Sequence, residues 1–403
     1  MPMQQQPTSY GERKMQQLWA QVLSIEPDSI GLDDSFFRLG GDSIAAMKLV
    51  GEARRAGLQL SVADVFRYPK LADITSSVTR GDGSPSTATI QHVNHAGPVQ
   101  QSFAQGRLWF LEELYPGLTW YLMPFAMLIR GPLQLEALNA AISAIESRHE
   151  TLRTTFSTEG GVGVQVVQPF RAKQLNVIEL SLDDKHSHLD AVQRDQTTPF
   201  NLRSEPGWRV SVYRFDNDNH VLSIVMHHIV SDGWSVDVLT RELSTFYAAS
   251  LRGQDPLSQV HPLPIQYRDF SVWQRQQAQI EEQEKQLSYW LTQLQTSRPA
   301  ELLSDKPRPA TLSGKADTRT VHISGPVYAR LQQFCNAHGV TLFVALLAVF
   351  RATHFRLTGQ DDATIGTVNA NRDRWELKDM IGFFVNMQCL RIMVAEESFE
   401  ELV

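Results

Sequence analysis

The sequence predicts a multidomain chain: a small all-α four-helix bundle followed by a larger α/β region. Three observations carry this. Up to residue 79, apolar residues recur at helical spacing. A stretch rich in Gly, Ser, Pro and Thr, Arg80 to Gly97, then interrupts the pattern. From Pro98 onward, short apolar runs of strand length alternate with amphipathic helical segments. At 403 residues, two or more domains are expected.

In the first domain, residues 10–79, Glu12 to Leu23 has helical periodicity and a loop rich in Asp, Ser and Gly runs from Pro27 to Asp42. Ser43 to Ala56 reads as a second amphipathic helix, Val62 to Phe66 as a short turn of helix, and Leu71 to Val78 as the last helix, entered after Pro69. Residues 80–97 read as a flexible linker; about 17 residues of such chain span roughly 20–25 Å and hold the bundle near its neighbour at millimolar effective concentration.

In the larger region, Phe103 to Leu114 and Leu135 to His149 read as helices. Tyr121 to Ile129, Thr154 to Phe156, Val164 to Val167, Trp208 to Phe215 and Val221 to His227 read as strands. Helices are expected from Ser235 and over Gln274 to Leu294. Pro307, Pro309 and Gly314 mark a hinge over Lys306 to Lys315, which divides a first lobe, 98–305, from a second, 306–403. A second αβ pattern starts near Val321 and includes an apolar helix from Leu342 to Thr353.

Composition narrows the function. Hydrophobic content of 42% and charged content of 20% are those of a globular protein. A net charge of -7 opposes a nucleic-acid footprint. No apolar run reaches membrane-spanning length, and the N-terminus lacks the basic and apolar regions of a signal peptide. Cys335 and Cys389 have no metal-type spacing and read as free thiols of a reducing, cytoplasmic compartment. No His-x-x-x-His pattern with a partner carboxylate is present, so no metal is expected.

Two places carry chemistry. Met226-His227-His228-Ile229-Val230-Ser231-Asp232-Gly233-Trp234-Ser235 puts two histidines where a buried strand ends, with a helix N-cap, Ser231 or Asp232, close behind. Side chains alternate along a strand, so His227 and His228 cannot face one cavity; one is free for proton handling and the other holds the scaffold. The other place is Leu39-Gly40-Gly41-Asp42-Ser43-Ile44, a serine at a helix start. No histidine precedes His92, so nothing in the first domain activates Ser43 as a nucleophile, and its plain reading is a helix N-terminal residue.

The segment Asp33-Asp34-Ser35-Phe36-Phe37-Arg38-Leu39-Gly40-Gly41-Asp42-Ser43-Ile44 resembles the signature of peptidyl carrier domains of nonribosomal peptide synthetases. The resemblance implies that Ser43 receives 4′-phosphopantetheine from a phosphopantetheinyl transferase, that Asp42 helps position it, and that the glycines let the modifying enzyme approach. Five later segments, in order, resemble the condensation domains of the same synthetases: Ser102 to Leu111, Arg148 to Phe156, His227 to Ser235, Tyr267 to Trp273, and Ile381 to Asn386 with Arg391.

This second resemblance implies a chloramphenicol-acetyltransferase-like α/β fold, with the first lobe complete and the second incomplete at Val403. It implies amide formation between a donor thioester on the carrier and an aminoacyl thioester on a downstream acceptor carrier, the donor being loaded by upstream synthetase domains. His228 matches the active-site histidine; His227 is expected in a structural role, as is His149. Asp232 is expected to pair with Arg153, and Gly233 to permit close approach beside the reacting centre. Arg107 to Leu111 with Tyr115-Pro116-Gly117 lean toward members whose donor ends in a D-residue. A monomer is expected, with no nucleic-acid or membrane partner. Two rivals remain: a non-catalytic carrier-docking platform, favoured by the shortened second lobe, and an epimerase-type use of the same fold, disfavoured by Trp234-Ser235-Val236-Asp237.

Overall fold

The computed structural model describes residues 5–41, 43–80, 90–94, 97–180, 185–307, 317–394 and 398–403. They form two compact units: Met1–Ala88, Leu287–Lys378 and Met387–Val403 in the first, Thr89–Gln286 and Asp379–Asn386 in the second.

In the first unit, α1 (Tyr10–Leu23), α2 (Ser43–Arg55), α3 (Val62–Arg67) and α4 (Leu71–Arg80) make a helical bundle. Ser9 and Glu12 form a capping box that starts α1, as Ser61 and Asp64 do for α3. Met15, Trp19, Phe36, Leu49 and Ile74 fill the core. Trp19 and Phe36 meet edge-on at 5.2 Å. The Phe36 N–H donates to the Pro69 carbonyl and Ser35 bridges to Lys70, so the long first loop is tied down between α3 and α4.

In the second unit, β1 (Val99–Gln100) leads into α5 (Phe103–Leu114), β2 (Leu122–Arg130), α6 (Leu135–Arg148), β3 (Thr154–Glu159), β4 (Val162–Val167), β5 (Asn176–Glu179), α7 (Lys185–Thr197), β6 (Trp208–Arg214), β7 (Asn219–His227), α8 (Gly233–Leu251) and α9 (Tyr267–Gln274). One sheet has the order β1-β4-β3, the other β2-β7-β6-β5, antiparallel except for β5 beside β6. In β7, Leu222, Ile224 and Met226 join the core under α6 and α8, whereas Val225 joins a second cluster with Leu108 and Phe156. Burial on both faces explains why this strand reads as a continuous apolar run.

After α10 (Gln277–Gln293), the first unit resumes with α11 (Gly325–His338), α12 (Leu342–Thr358), β8 (Asp362–Asn369), β9 (Asn386–Met393), paired with β8, and the short α13 (Phe399–Leu402). Among the described residues no single helix is long and apolar enough to cross a membrane.

Several details differ from expectation. Tyr267–Gln274 is a helix, separate from the one that follows. Residues 317–324 contain no strand; Val321 is 83% exposed, and the helix α11, with Pro326 in its first turn, follows instead. Of the expected linker, 81–89, 95 and 96 lie outside the described residues, as do 308–316 of the expected hinge. The downstream end of the linker is pinned: Ile90 is buried, and the His92 ring and the Val93 N–H bind the Asp269 carboxylate at 2.9 and 3.0 Å.

Candidate active site

Strand β7 ends on His227, and His228 opens a 3-10 turn, His228–Val230. The two rings part because the strand stops between them, not by alternation within one strand. His227 is 2% exposed, and its Nδ1 accepts the Ile229 N–H at 3.0 Å. Its ring is therefore neutral with the proton on Nε2. Burial, reinforced by the neighbouring His228, lowers its pKa to about 4. The backbone around it is crowded: a β carbon at Gly207 would stand 3.1 Å from that of His227.

His228 is half-buried, its backbone N–H donating to the Tyr121 carbonyl at 2.8 Å. Its Nδ1 lies 3.0 Å from the Ser231 carbonyl oxygen. A carbonyl only accepts, so Nδ1 carries the proton and Nε2 of the neutral ring presents a lone pair. Phe383 flanks the ring, the centroids 5.4 Å apart.

Asp232 caps α8. Fully buried, it accepts from the Ser235 N–H at 2.9 Å and the Ser235 hydroxyl at 2.7 Å through Oδ1, and from the Phe384 N–H at 3.1 Å through Oδ2. The same Ser235 hydroxyl oxygen lies 2.9 Å from the Gly382 carbonyl oxygen and accepts the Gly382 N–H at 3.0 Å. The residues at 382–384 are thus stitched to the start of α8 under the His228 turn. Gly382 is required there: a β carbon would stand 2.2 Å from the Tyr267 ring. The Tyr267 hydroxyl bonds the Phe383 carbonyl and lies 2.8 Å from the Ser102 hydroxyl. Arg107 of α5 donates to Asn386 Oδ1 at 3.0 Å and the Val385 carbonyl at 3.2 Å. All five condensation-like segments meet in this network, the second through His149, whose Nδ1 accepts the Ile381 N–H at 3.3 Å and whose Nε2 bonds Glu242 at 2.8 Å. Burial lowers the His149 pKa, against the opposing pull of Glu242.

One expected contact is corrected. Arg153 does not pair with Asp232. Its guanidinium donates to the Glu146 and Ser147 carbonyls at 3.2 and 3.4 Å and faces Glu150 at 3.6 Å. Asp232 instead uses its oxygens on N–H and hydroxyl donors at the helix start, which a buried carboxylate at an N-cap needs. Gly233 is exposed, and a β carbon on it would meet nothing within 4 Å, so the space it leaves faces the open side of the turn. Sequence reasoning missed Ser235, although Asp232-x-x-Ser235 is capping spacing, and missed Tyr267 and Gly382 as a fitted pair.

On the carrier side, Ser43 is the first residue of α2; Asp42 lies outside the described residues. Gly40 has φ +100°, and a β carbon at Gly41 would stand 2.4 Å from the Phe36 ring. A phosphate ester on residue 43 would sit at the start of a 13-residue helix, where backbone N–H groups and the helix dipole favour an anion. The loop and helix start therefore fit a phosphopantetheine group.

A small helical carrier with a serine at a helix start, joined to an α/β domain centred on a strand-end histidine, defines a carrier–acyltransferase class. Residues 13–78 match the family of the phosphopantetheine attachment site and residues 96–403 that of the condensation domain. The nonribosomal peptide synthetase dtxS1 of Metarhizium robertsii is 62% identical over 400 residues, 99% of this chain and 5% of that protein. The nonribosomal peptide synthetase TES of Alternaria alternata is 64% identical over 399 residues, again 99% of this chain and 8% of that protein. The X-domain bound to OxyB from teicoplanin biosynthesis superposes with a TM-score of 0.69 at 25% identity, covering 79% of this chain and 71% of that one. The chain belongs to the condensation domain family, a family of amide-forming acyltransferases, and carries a phosphopantetheine attachment site ahead of it. It spans less than a tenth of the length of these two curated relatives.

Proposed function

We propose that this chain performs one elongation step of nonribosomal peptide synthesis, with residues 10–79 delivering the donor and the region from 98 onward forming the amide. When bound to Ser43, phosphopantetheine supplies the acyl or peptidyl group as a thioester, already activated toward amines. The observation that carries the reading is the fixed tautomer of His228: with Nδ1–H held on the Ser231 carbonyl, Nε2 is a proton acceptor at the edge of the turn.

His228 Nε2 would orient the incoming amine and take its proton as the new C–N bond forms and the donor C–S bond breaks. His227 and Asp232 keep the turn in place, Arg153 ties the Glu150–Arg153 turn to the end of α6, and Gly233 leaves room at the mouth. A phosphopantetheinyl transferase, upstream domains that load the donor and a downstream acceptor carrier are the partners of this reading, and the chain acts as a monomer. Two free thiols, Cys335 and Cys389, suit a cytoplasmic setting.

The test is amide formation between a loaded Ser43 carrier and an aminoacyl carrier supplied in trans. Product is expected with the wild-type chain and is lost with His228→Ala; equal product from both proteins would sink the assignment.

A further inference from the structure

Helix α2 carries a feature that modification of Ser43 does not use. Roughly 12 Å along the axis from Ser43, at 1.5 Å per residue, Gly51 and Glu52 form a seat for a side chain from far along the sequence. Lys378 Nζ lies 2.6 Å from Glu52 Oε1. The pair is shielded, with only 13% of the Lys378 side chain and 21% of the Glu52 side chain exposed. The lysine stem crosses the helix at Gly51, where a β carbon would stand 3.0 Å from Lys378 Cδ. Glycine inside a helix weakens it, and here the missing side chain is the space the lysine stem occupies.

The other partner is braced. Lys378 follows the turn Trp375–Leu377. Arg374 and Glu376 pair at 3.0 Å and are both nearly buried. Arg372 donates to the Leu377 carbonyl at 2.6 Å. A cation on a braced turn thus meets an acid beside a gap on a helix face.

We propose that the turn Trp375–Lys378 is the docking surface for the chain's own carrier, and that the Glu52–Lys378 pair, seated over Gly51, is the latch. The proposal rests on the reading of residues 10–79 as a carrier. One charge pair on a tethered domain holds reversibly: the tether supplies millimolar effective concentration, and salt weakens the attraction. That suits a carrier that must be loaded elsewhere and return. Ser43 lies about two helical turns before Gly51 on α2.

A zero-length carbodiimide cross-link on the 403-residue chain tests this. The reagent joins the Glu52 carboxylate to the Lys378 amine as an amide, and the water removed converts the carbodiimide to its urea. Peptide mass spectrometry should find this link. Its yield should fall several-fold between about 0.05 M and about 0.5 M salt. Gly51→Leu should lower it about fivefold or more, while the exchanged pair, Glu52→Lys with Lys378→Glu, should restore a link with its ends reversed.

A wild-type chain without the link, a link indifferent to Gly51→Leu, or an exchanged pair that does not link would each overturn the proposal. Phosphopantetheine loading on Ser43, measured by intact mass in the same samples, shows that each variant carrier is folded. It also separates the two readings: loss of loading with the link intact would overturn the carrier and leave the latch.

Discussion

The starts of α2 and α8 solve different problems with the same element. Each sets a key residue beside a helix N-terminus and next to glycine. At α2, the frame is sparse: Gly40 turns with positive φ, Gly41 lies against Phe36, and Ser43 opens the helix. At α8, the frame is dense: Asp232, Ser235, Gly382 and Phe384 bond one another beneath the His228 turn, and Tyr267 packs into the space at Gly382. The difference follows from where the reactive atom resides. A cofactor on a long arm brings its own reactive group, so the carrier needs only an accessible attachment point. On the proposed function, a histidine that presents one nitrogen to one amine needs its ring held to within a fraction of an ångström.

The sharpest way to break this comparison is at the sparse end. Ser43→Ala should abolish phosphopantetheine loading completely, by intact mass, while circular dichroism shows unchanged helix content. At the dense end, His228→Ala should reduce amide formation about 10²- to 10⁴-fold, the usual loss when a positioned proton acceptor is removed. Its folding should change little, because the ring is half-buried and its side-chain bond is a single one, to the Ser231 carbonyl. A His228→Ala protein that unfolds would mean the turn is supported by the ring rather than the reverse.

Asp232→Ala should act in the opposite sense, through folding. It removes the cap of α8 and leaves the buried Phe384 N–H without that acceptor, together costing about 2–4 kcal/mol. Urea unfolding should show this loss, and Asp232→Asn, which keeps an acceptor oxygen, should recover part of it. If Asp232→Ala lost activity at full stability, the residue would belong to the chemistry and not to the frame.

Much of this was legible in the sequence because it is local. The range of α5 was read without error, since Ser102 and Gln105 form a capping box and Tyr115-Pro116-Gly117 ends the helix. Asp232 was one of the two residues read as the cap of α8, and the separate fates of His227 and His228 were expected, although the strand end, not alternation, produces them. What stayed illegible depends on long-range placement. Nothing local marks Gly382 as the partner of Tyr267, or Lys378 as the partner of Glu52, 326 residues away. The pairing of Arg153 with Asp232 is what the resemblance to condensation domains implies; in the structure Glu150, three residues away on the same turn, is the acid that Arg153 faces.

The smallest expected effect is a pH dependence, and it separates His227 from His228. The His227 pKa falls from 6.5 to about 4 in the folded protein because its ring is buried. Between these values the unfolded chain binds a proton that the folded chain refuses, so stability is full above about pH 6.5 and declines as the pH drops toward 4. At pH 5 this one group should remove about 2 kcal/mol relative to pH 7.5, with His149 adding in the same direction because its pKa is also lowered. His227→Gln keeps an acceptor for the Ile229 N–H and removes the titration, so its urea midpoint should fall less on acidification than that of the wild type. Identical slopes for the two proteins would mean that the His227 ring is wetter than its 2% exposure implies, and that the frame at α8 is looser than its hydrogen bonds suggest.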